Sequence, residues 1–375
     1  MKILIHSNGP MVPSGYGQQV KLLAPRLKAA GHDVAISAFY GLSGSPILWE
    51  GIPIFPAGAR DYGTDVIVHH ARNHGADVVI TLMDFWKLAP VADQLRDLNV
   101  LAWLPVDCYP LGRPDRETLL RSGAHAVAMS RFGQRQLDEA GFATDYAPHA
   151  VDMAVFKPPA DRQGLRRELG LDDFFLVGIC AANNDALRKA WPEQFAAFAQ
   201  FARGRDDARL MVHTKMSSPS GFPLLQLAED MGIADKVIWS DQYVQTAGLM
   251  TEAMMADWFG ALDLLSACSY AEGFGVPIVE AQACGTPVVT AASSAMAEVN
   301  ATGRDVYGSP WWNPVHRGWW MRPDMLEISE VYALHYESRG ARVDDGRVAH
   351  YDADSVVKGY WQPILDGVEA VEVDL

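Results

Sequence analysis

Short apolar runs alternate through most of the chain with segments whose apolar positions recur every three or four residues. The first run, residues 2–6, predicts a buried strand. Val20, Leu23 and Leu27 share one face of the helix predicted for residues 18–30. Because strands separated by helices of this length pair in parallel, the pattern predicts an α/β fold with a doubly wound sheet.

The alternation continues without interruption to residue 148. It predicts further strands at 33–39, 77–82, 100–105, 125–130 and 145–148, and helices at 64–74, 88–98, 113–121 and 131–140. These elements make residues 1–150 a first Rossmann-like domain.

A segment of linker composition at residues 149–159 breaks this rhythm, and a second series of the same kind follows. It predicts strands at 174–181, 209–214, 237–240, 262–268 and 287–290, and helices at 192–203, 224–231 and 248–260. We therefore expect a second Rossmann-like domain at 151–350, with the two domains facing each other across a ligand-binding cleft.

The periodic pattern weakens near the C-terminus of the second domain. Residues 303–350 form a tryptophan-rich extension in which only one helix, at 326–336, is predicted. The tail predicts a last helix at 355–370, a candidate to pack back onto the first domain.

Composition narrows the class of protein. The chain has 375 residues, 49% of them apolar, and a formal net charge of −15. This balance disfavours sequence-independent binding to nucleic acid, which depends on Lys and Arg. We expect no membrane span and no signal peptide, and the four dispersed cysteines suit reduced core positions. A cytoplasmic protein is therefore expected.

Candidate chemistry concentrates after the strand predicted at 262–268. Glu272 lies in a glycine-bracketed turn with Gly273 and Gly275, and Glu280 follows about one turn into a short helix. In an open parallel sheet, ligands bind at the edge formed by the carboxyl ends of the strands, where this turn is expected to lie. Glycine N–H groups at a helix start suit a phosphate, whereas carboxylates accept hydrogen bonds from sugar hydroxyls. The turn therefore predicts a ligand with both phosphate and sugar.

Glu272-Gly273-Phe274-Gly275, with Glu280 after seven intervening residues, resembles the E-x7-E signature of retaining glycosyltransferase family 4. Three other stretches agree with that family. Gly15-Tyr16-Gly17 resembles its N-terminal glycine loop, 149–158 its interdomain segment, and Arg188-Lys189 its phosphate-binding turn. The resemblance implies the GT-B fold and transfer of a hexose from a nucleotide sugar with retention of configuration.

The resemblance also assigns roles to individual residues. It implies that Lys189 and Arg188 hold the donor diphosphate and that Glu280 binds the ribose. It further implies that Glu272, with the backbone of Gly273, Phe274 and Gly275, holds the donor sugar, and that Gly15 and Gly17 close over the donor. No metal or other cofactor is expected, because cations and backbone dipoles stabilise the leaving diphosphate.

The chain departs from the family pattern at two candidate positions. Val106-Asp107 stands where many members have His-Asp, which makes Asp107 the substitute candidate for contacting the donor sugar or the acceptor. Asn183 stands where an arginine is common, and its amide is expected to donate hydrogen bonds to the phosphate.

The donor and the acceptor stay open at this point. UDP-glucose and GDP-mannose both fit the pattern, and the acceptor hydroxyl could belong to a sugar, a lipid, a small molecule or a modified nucleic-acid base. The four tryptophans of residues 311–320 could form an acceptor platform or pack the extension.

Other classes of function fit less well. A dehydrogenase needs a glycine fingerprint, but Val20 occupies the position of its third glycine. A nucleotide-sugar sensor without turnover remains an alternative. His70 and His74 lie one helical turn apart beside His69, and an exposed helix face explains them better than a metal site.

Overall fold

This computed structural model describes residues 1–368, apart from the side chain of Asp345. The chain divides into two compact units. The first contains residues 1–150, 313–318 and 351–368. Its strands are β1 (Lys2–Asn8), β2 (Asp33–Tyr40), β3 (Ile47–Trp49), β4 (Ile52–Phe55), β5 (Val78–Leu82), β6 (Val100–Leu104), β7 (His125–Ala128) and β8 (Thr144–Tyr146). Its first helices are α1 (Gly15–Ala29), α2 (Ile67–His74), α3 (Arg113–Ser122) and α4 (Arg131–Glu139), with 3₁₀ helices at Asp61–Gly63 and Phe85–Asp97.

The first sheet has the strand order β3-β4-β2-β1-β5-β6-β7-β8. All of its pairings are parallel except that of β3 with β4. The carboxyl ends of β1, β4, β5 and β6 therefore lie along one edge, where loops can hold a ligand. The β3–β4 hairpin is a finding that the sequence pattern did not predict, because β3 is short and largely exposed.

The second unit contains residues 151–312 and 319–350. Its strands are β9 (Phe175–Cys180), β10 (Ala208–His213), β11 (Val237–Trp239), β12 (Leu264–Ala267), β13 (Val288–Ala291), β14 (Arg304–Val306), β15 (Gly308–Asn313) and β16 (Gly318–Pro323). Its helices are α5 (Arg162–Glu168), α6 (Trp191–Phe201), α7 (Leu224–Asp230), α8 (Gln242–Thr246), α9 (Glu252–Ala261), α10 (Val276–Ala283), α11 (Met296–Val299) and α12 (Met325–Glu337), with 3₁₀ helices at Ala234–Lys236 and Asp345–Tyr351.

The second sheet is parallel in the order β11-β10-β9-β12-β13-β14, and β15 pairs with β16 in a separate two-stranded sheet. Side chains of α6 and α12 cover one face of this sheet. Phe195, Phe198 and Phe201 are buried there beside Tyr332. Burying such side chains contributes about 1.5–3 kcal/mol each. This core fixes the loops at the carboxyl ends of β9 and β12.

The tail of the chain belongs to the first unit. It forms α13 (Ala353–Val356), a π-helical turn at Val357–Trp361 and α14 (Gln362–Asp366). Trp361 packs edge-on against Trp103 of β6, with 4.9 Å between ring centroids. Residues 369–370 of the helix predicted at 355–370 lie outside the described residues. Residues 313–318, which the sequence pattern assigned to the second domain, also belong to the first unit.

The sequence also led us to expect no membrane span and reduced cysteines in the core. Within residues 1–368, no helix is both long and apolar enough to cross a bilayer. The four cysteines are all unbridged, and three of them, Cys108, Cys268 and Cys284, are buried.

Candidate ligand-binding site

The turn between β12 and α10 places Glu272 and Glu280 at the carboxyl edge of the second sheet. Gly275 caps α10 with φ of 103°, and a side chain there would meet Ile278 at 2.7 Å. Pro277 occupies the first turn of the helix, a position that needs no backbone N–H donor. Glycine and proline thus determine the sharp entry into α10.

Glu272 is held by four hydrogen-bonding groups of the second unit. Its carboxylate accepts a hydrogen bond from Arg188 Nη1 at 2.8 Å and forms an ion pair with Lys189 Nζ. The Ser269 hydroxyl donates to the same carboxylate at 2.7 Å, and the Glu272 N–H donates to Ser294 Oγ at 2.9 Å. The carboxylate is therefore fixed in one orientation.

The loop after β9 brings the two cations to this carboxylate. Asp185 Oδ1 accepts the N–H groups of Leu187 and Arg188 at 2.7 and 3.1 Å, which folds the loop into a tight turn. Gln194 Nε2 donates to the Lys189 carbonyl at 2.8 Å. The Tyr270 N–H donates to the Arg188 carbonyl at 2.8 Å, so the two loops are joined through their backbones.

The three charges strongly affect one another. Burial alone would raise the pKa of Glu272, but the neighbouring charges of Lys189 and Arg188 outweigh it and lower that pKa to about 2. Burial, and then repulsion from Arg188, lowers the pKa of Lys189, while Glu272 opposes that change. Two cations face one carboxylate, so the cluster has a local excess of positive charge that suits a phosphate.

Glu280 has a different environment, one turn into α10. Burial, and secondly the charge of Glu252, raises its pKa to about 8. The Glu280 carboxyl group therefore keeps its proton to a higher pH than an ordinary glutamate, and in that form it can donate as well as accept a hydrogen bond. Such a group can bind vicinal hydroxyls.

Tyr270 holds the same turn through hydrogen bonds of its hydroxyl and its carbonyl group. Its hydroxyl donates to Glu193 at 2.9 Å, and Arg322 Nε donates to the same carboxylate at 2.7 Å. The Met321 N–H donates to the Tyr270 carbonyl at 3.2 Å. Strand β16 therefore contacts the turn that contains Glu272.

The tryptophans of 311–320 lie on two faces of the β15–β16 pair. Trp311 packs 6.0 Å from Tyr270 and 5.7 Å from Trp320, ring centroid to centroid. Trp312 and Trp319 form an edge-on pair on the exposed face, with 5.1 Å between centroids. The first pair packs the extension against the candidate site.

Asn183 was expected to donate to a phosphate, but its amide is used within the protein. Its Nδ2 donates to the carbonyls of Lys215 and Phe222 at 3.2 and 3.0 Å, and its Oδ1 accepts the Phe222 N–H at 2.7 Å. The side chain is 1% exposed. The structure therefore shows Asn183 joining two loops.

Asp107 follows β6 in the first unit, at the carboxyl edge of the first sheet. Ligand atoms of Asp107, Cys108 and His316 lie within 4.8 Å of one another. Among the described residues this is the one group of three side chains with metal-ligand spacing, and its donor types suit Zn²⁺. Burial raises the pKa of the Cys108 thiol, so a metal ion would have to displace its proton.

Gly15 and Gly17 lie in the first turn of α1 rather than in a preceding loop. The Gly17 N–H donates to the Ser14 hydroxyl at 3.1 Å, and a Cβ on Gly17 would lie 2.3 Å from the Val12 carbonyl oxygen. Gly15 faces open space. Close packing against Val12 therefore explains why residue 17 is a glycine, whereas Gly15 lies on an open surface that a ligand could reach.

The structure brings together Glu272, Arg188 and Lys189 from two predicted stretches. Sequence reasoning missed Asp185, whose spacing before Arg188 is that of a side-chain-capped turn. It also missed Glu193 and Arg322, which are separated by 129 residues, so no local pattern could pair them.

Part of the chain is similar in sequence to known glycosyltransferases. Residues 179–311, which run from the end of β9 into β15, match the family described as Glycosyl transferases group 1. The D-inositol 3-phosphate glycosyltransferase of Segniliparus rotundus is 36% identical over 152 residues, which are 39% of this chain and 31% of that protein. The protein of that name from Pseudarthrobacter chlorophenolicus is 30% identical over 55% of this chain and 44% of its own length. The chain thus spans less than half the length of these relatives.

Solved structures resemble the whole chain. Sucrose-phosphate synthase from Thermosynechococcus elongatus superimposes with a TM-score of 0.70 at 18% identity, covering 97% of this chain and 96% of that one. HepE from Anabaena, in complex with UDP-glucose, gives 0.70 at 17% identity, with 98% and 100% covered. At this identity the likeness shows the fold, and it confirms the GT-B class expected from the sequence.

Proposed function

We propose that the chain is a glycosyltransferase of family 4 that transfers a hexose from a nucleotide sugar to an acceptor hydroxyl, because residues 179–311 match the group 1 glycosyltransferases and the chain has the GT-B fold. The donor is of the UDP-glucose or GDP-mannose type. The observation that carries the proposal is the pairing of Glu272 with both Arg188 and Lys189 beside the start of α10.

The cluster supplies what a nucleotide diphosphate requires. Lys189 and Arg188 offer N–H donors and positive charge, and the start of α10 adds oriented backbone dipoles. When phosphate oxygens pair with the two cations, the Glu272 carboxylate becomes available to a sugar hydroxyl. In the absence of donor, Glu272 keeps the cations in place.

Glu280 is assigned to the nucleoside part of the donor. In its protonated form, which the raised pKa favours, its carboxyl group would donate one hydrogen bond and accept another from the two ribose hydroxyls. A carboxylate here would face the negative diphosphate, so the raised pKa favours donor binding at neutral pH.

The reaction proceeds on one face of the sugar, with retention and without a metal. The bond between the anomeric carbon and the diphosphate oxygen breaks as the acceptor oxygen bonds to that carbon. The acceptor proton passes to the departing phosphate oxygen. Lys189 and Arg188 stabilise the charge that develops on the leaving group, and neither Glu272 nor Glu280 acts as a nucleophile.

The proposal is tested by incubating the purified protein with UDP-glucose or GDP-mannose, with and without EDTA, and measuring release of UDP or GDP. We expect slow release from one donor without an acceptor, unaffected by EDTA. NMR of a transferred sugar should show the anomeric configuration of the donor. Donor binding without any release or transfer would favour the nucleotide-sugar sensor, and tight binding of NAD would favour a dehydrogenase.

A further inference from the structure

Three side chains with donor atoms that zinc prefers meet shortly after the end of β6. Cys108 Sγ, a carboxylate oxygen of Asp107 and a ring nitrogen of His316 all lie within 4.8 Å of one another. All three residues belong to the first unit. Thiolate, imidazole and carboxylate together are typical ligands of Zn²⁺, whereas Mg²⁺ and Ca²⁺ bind oxygen atoms. The donor set therefore favours zinc.

The spacing of the three donor atoms is close to that around a bound ion. Zinc bonds of about 2.0–2.3 Å in a tetrahedral site place neighbouring ligand atoms about 3.3–3.8 Å apart. A separation of 4.8 Å must therefore shorten by about 1–1.5 Å. Asp107 and His316 are only half-buried, so rotation of their side chains can supply this movement. Their partial exposure also leaves a fourth position to a water molecule or a ligand oxygen.

The Cys108 thiol lies where a glycine makes room for it. A Cβ on Gly318 would lie 2.9 Å from Cys108 Sγ and 3.0 Å from Cys108 Cβ. Any larger residue at position 318 would therefore push the turn that contains His316 away from the thiol. The thiol donates to the Pro110 carbonyl at 3.7 Å, a weak hydrogen bond that a bond to a metal ion would replace.

The turn that follows β15 holds His316 in place. Asn313 Oδ1 accepts the N–H groups of Val315 and His316 at 2.8 and 3.1 Å. The Arg113 N–H, at the start of α3, donates to the His316 carbonyl at 3.0 Å. The Trp86 ring packs edge-on against the imidazole, with 6.2 Å between ring centroids. These contacts keep the backbone and the ring of His316 beside Cys108.

We propose that Asp107, Cys108 and His316 form a Zn²⁺ site in the first unit, with a water molecule or a ligand oxygen in the fourth position. Cys108 binds as a thiolate, and its proton passes to solvent. The ion joins two segments that are distant in sequence, so its binding stabilises the fold of this unit. The site does not depend on the proposed transferase function, in which Lys189 and Arg188 of the second unit hold the leaving diphosphate.

Metal titration of the full chain tests the binding directly. The protein is stripped of metal with EDTA, dialysed, and titrated with Zn²⁺ against a competing chelator under reducing conditions. We expect one Zn²⁺ per chain and a higher midpoint of thermal unfolding, with no such effect of Mg²⁺. Co²⁺ in place of Zn²⁺ should show the near-ultraviolet absorption of a cobalt–thiolate bond, which histidine and carboxylate ligands alone do not give.

Substitutions assign the binding to the three side chains. Cys108→Ala and His316→Gln should each weaken Zn²⁺ binding about a hundredfold or more, because loss of a partner that only orients a ligand already costs about 10–100-fold. Cys180→Ala and His69→Gln are the matched controls and should bind like the wild type. Cys180 is an unbridged, half-buried cysteine and His69 an exposed histidine, and neither belongs to the group of three.

Thermal unfolding without metal checks that each variant folds, and the Co²⁺ spectrum of the wild type does not depend on any variant. Absence of Zn²⁺ binding, a Co²⁺ complex without the thiolate absorption, or unchanged binding by folded Cys108→Ala and His316→Gln would overturn the proposal. Release of UDP or GDP without an acceptor reports separately on the transferase function. Release without zinc binding would remove the zinc site alone, and zinc binding without release would remove the transferase function alone.

Discussion

Replacing Glu272 by Gln tests the electrostatics of the candidate site. The change keeps the shape and removes the charge that Arg188 and Lys189 share. The pKa of Glu272 is about 2 in the folded protein, against an ordinary value of 4.5 for a glutamate. At 1.36 kcal/mol per pKa unit, ionised Glu272 stabilises the fold at pH 7 by about 3 kcal/mol relative to its protonated form.

The sign of the pH effect follows from the lowered pKa. The stabilisation is fully present above pH 4.5 and is lost as pH falls towards 2, because the unfolded chain takes up the proton first. Between pH 7 and pH 3 the wild type should lose about 2 kcal/mol through this group, and the variant should lose none of it. The stability difference between them should therefore narrow by that amount.

Urea denaturation of both proteins at pH 7 and pH 3 measures this difference. Matched m-values are needed to show that the two proteins unfold in the same way. A gap of the same size at both pH values would mean that Glu272 is not held ionised by Arg188 and Lys189.

Two further outcomes follow from single groups. Affinity for UDP or GDP should fall as pH rises through about 8, because Glu280 then ionises beside the bound diphosphate. In Glu280→Gln this pH dependence of the affinity should be flat between pH 6 and 9. An equally steep pH profile in the variant would refute the role of Glu280. Gly17→Ala should destabilise the fold by about 1–3 kcal/mol in urea denaturation, because its Cβ would lie 2.3 Å from the Val12 carbonyl oxygen, whereas the matched Gly15→Ala meets nothing within 4 Å; equal stability of the two variants would contradict the packing role.

Local patterns predicted most of the fold because each strand and helix buries its own apolar positions. Strand β1 and helix α1 illustrate this, since β1 is a short, continuously buried run whereas the buried positions of α1 recur every three or four residues. The pattern failed where burial is low. Strand β3 has the burial of a surface segment, and α5 is only seven residues long, so neither carries a strong periodic signal.

Some residues of the candidate site were likewise predictable from the sequence, and some of its contacts were not. Glu272, Arg188 and Lys189 were predictable because each lies in a loop directly after a buried strand, and such loops share one edge of the sheet. The commitment of the Asn183 amide to Lys215 and Phe222 was not predictable, since it depends on how a distant loop folds. The hydrogen bonds of Glu193 to Tyr270 and Arg322 depend on tertiary packing for the same reason.

The central claim is that Lys189, paired with Glu272, holds the diphosphate of a nucleotide sugar whose hexose is transferred. The most direct measurement compares nucleotide diphosphate release from UDP-glucose and GDP-mannose by the wild type, Lys189→Met and Lys157→Met. Lys157 is an exposed lysine of the same unit and serves as the matched control. We predict turnover of one donor by the wild type and the control, and a loss of about a hundredfold or more in Lys189→Met, because one preorganised donor to a leaving group contributes that much. Turnover by a folded Lys189→Met equal to that of Lys157→Met, or no turnover of either donor by the wild type, would contradict the account.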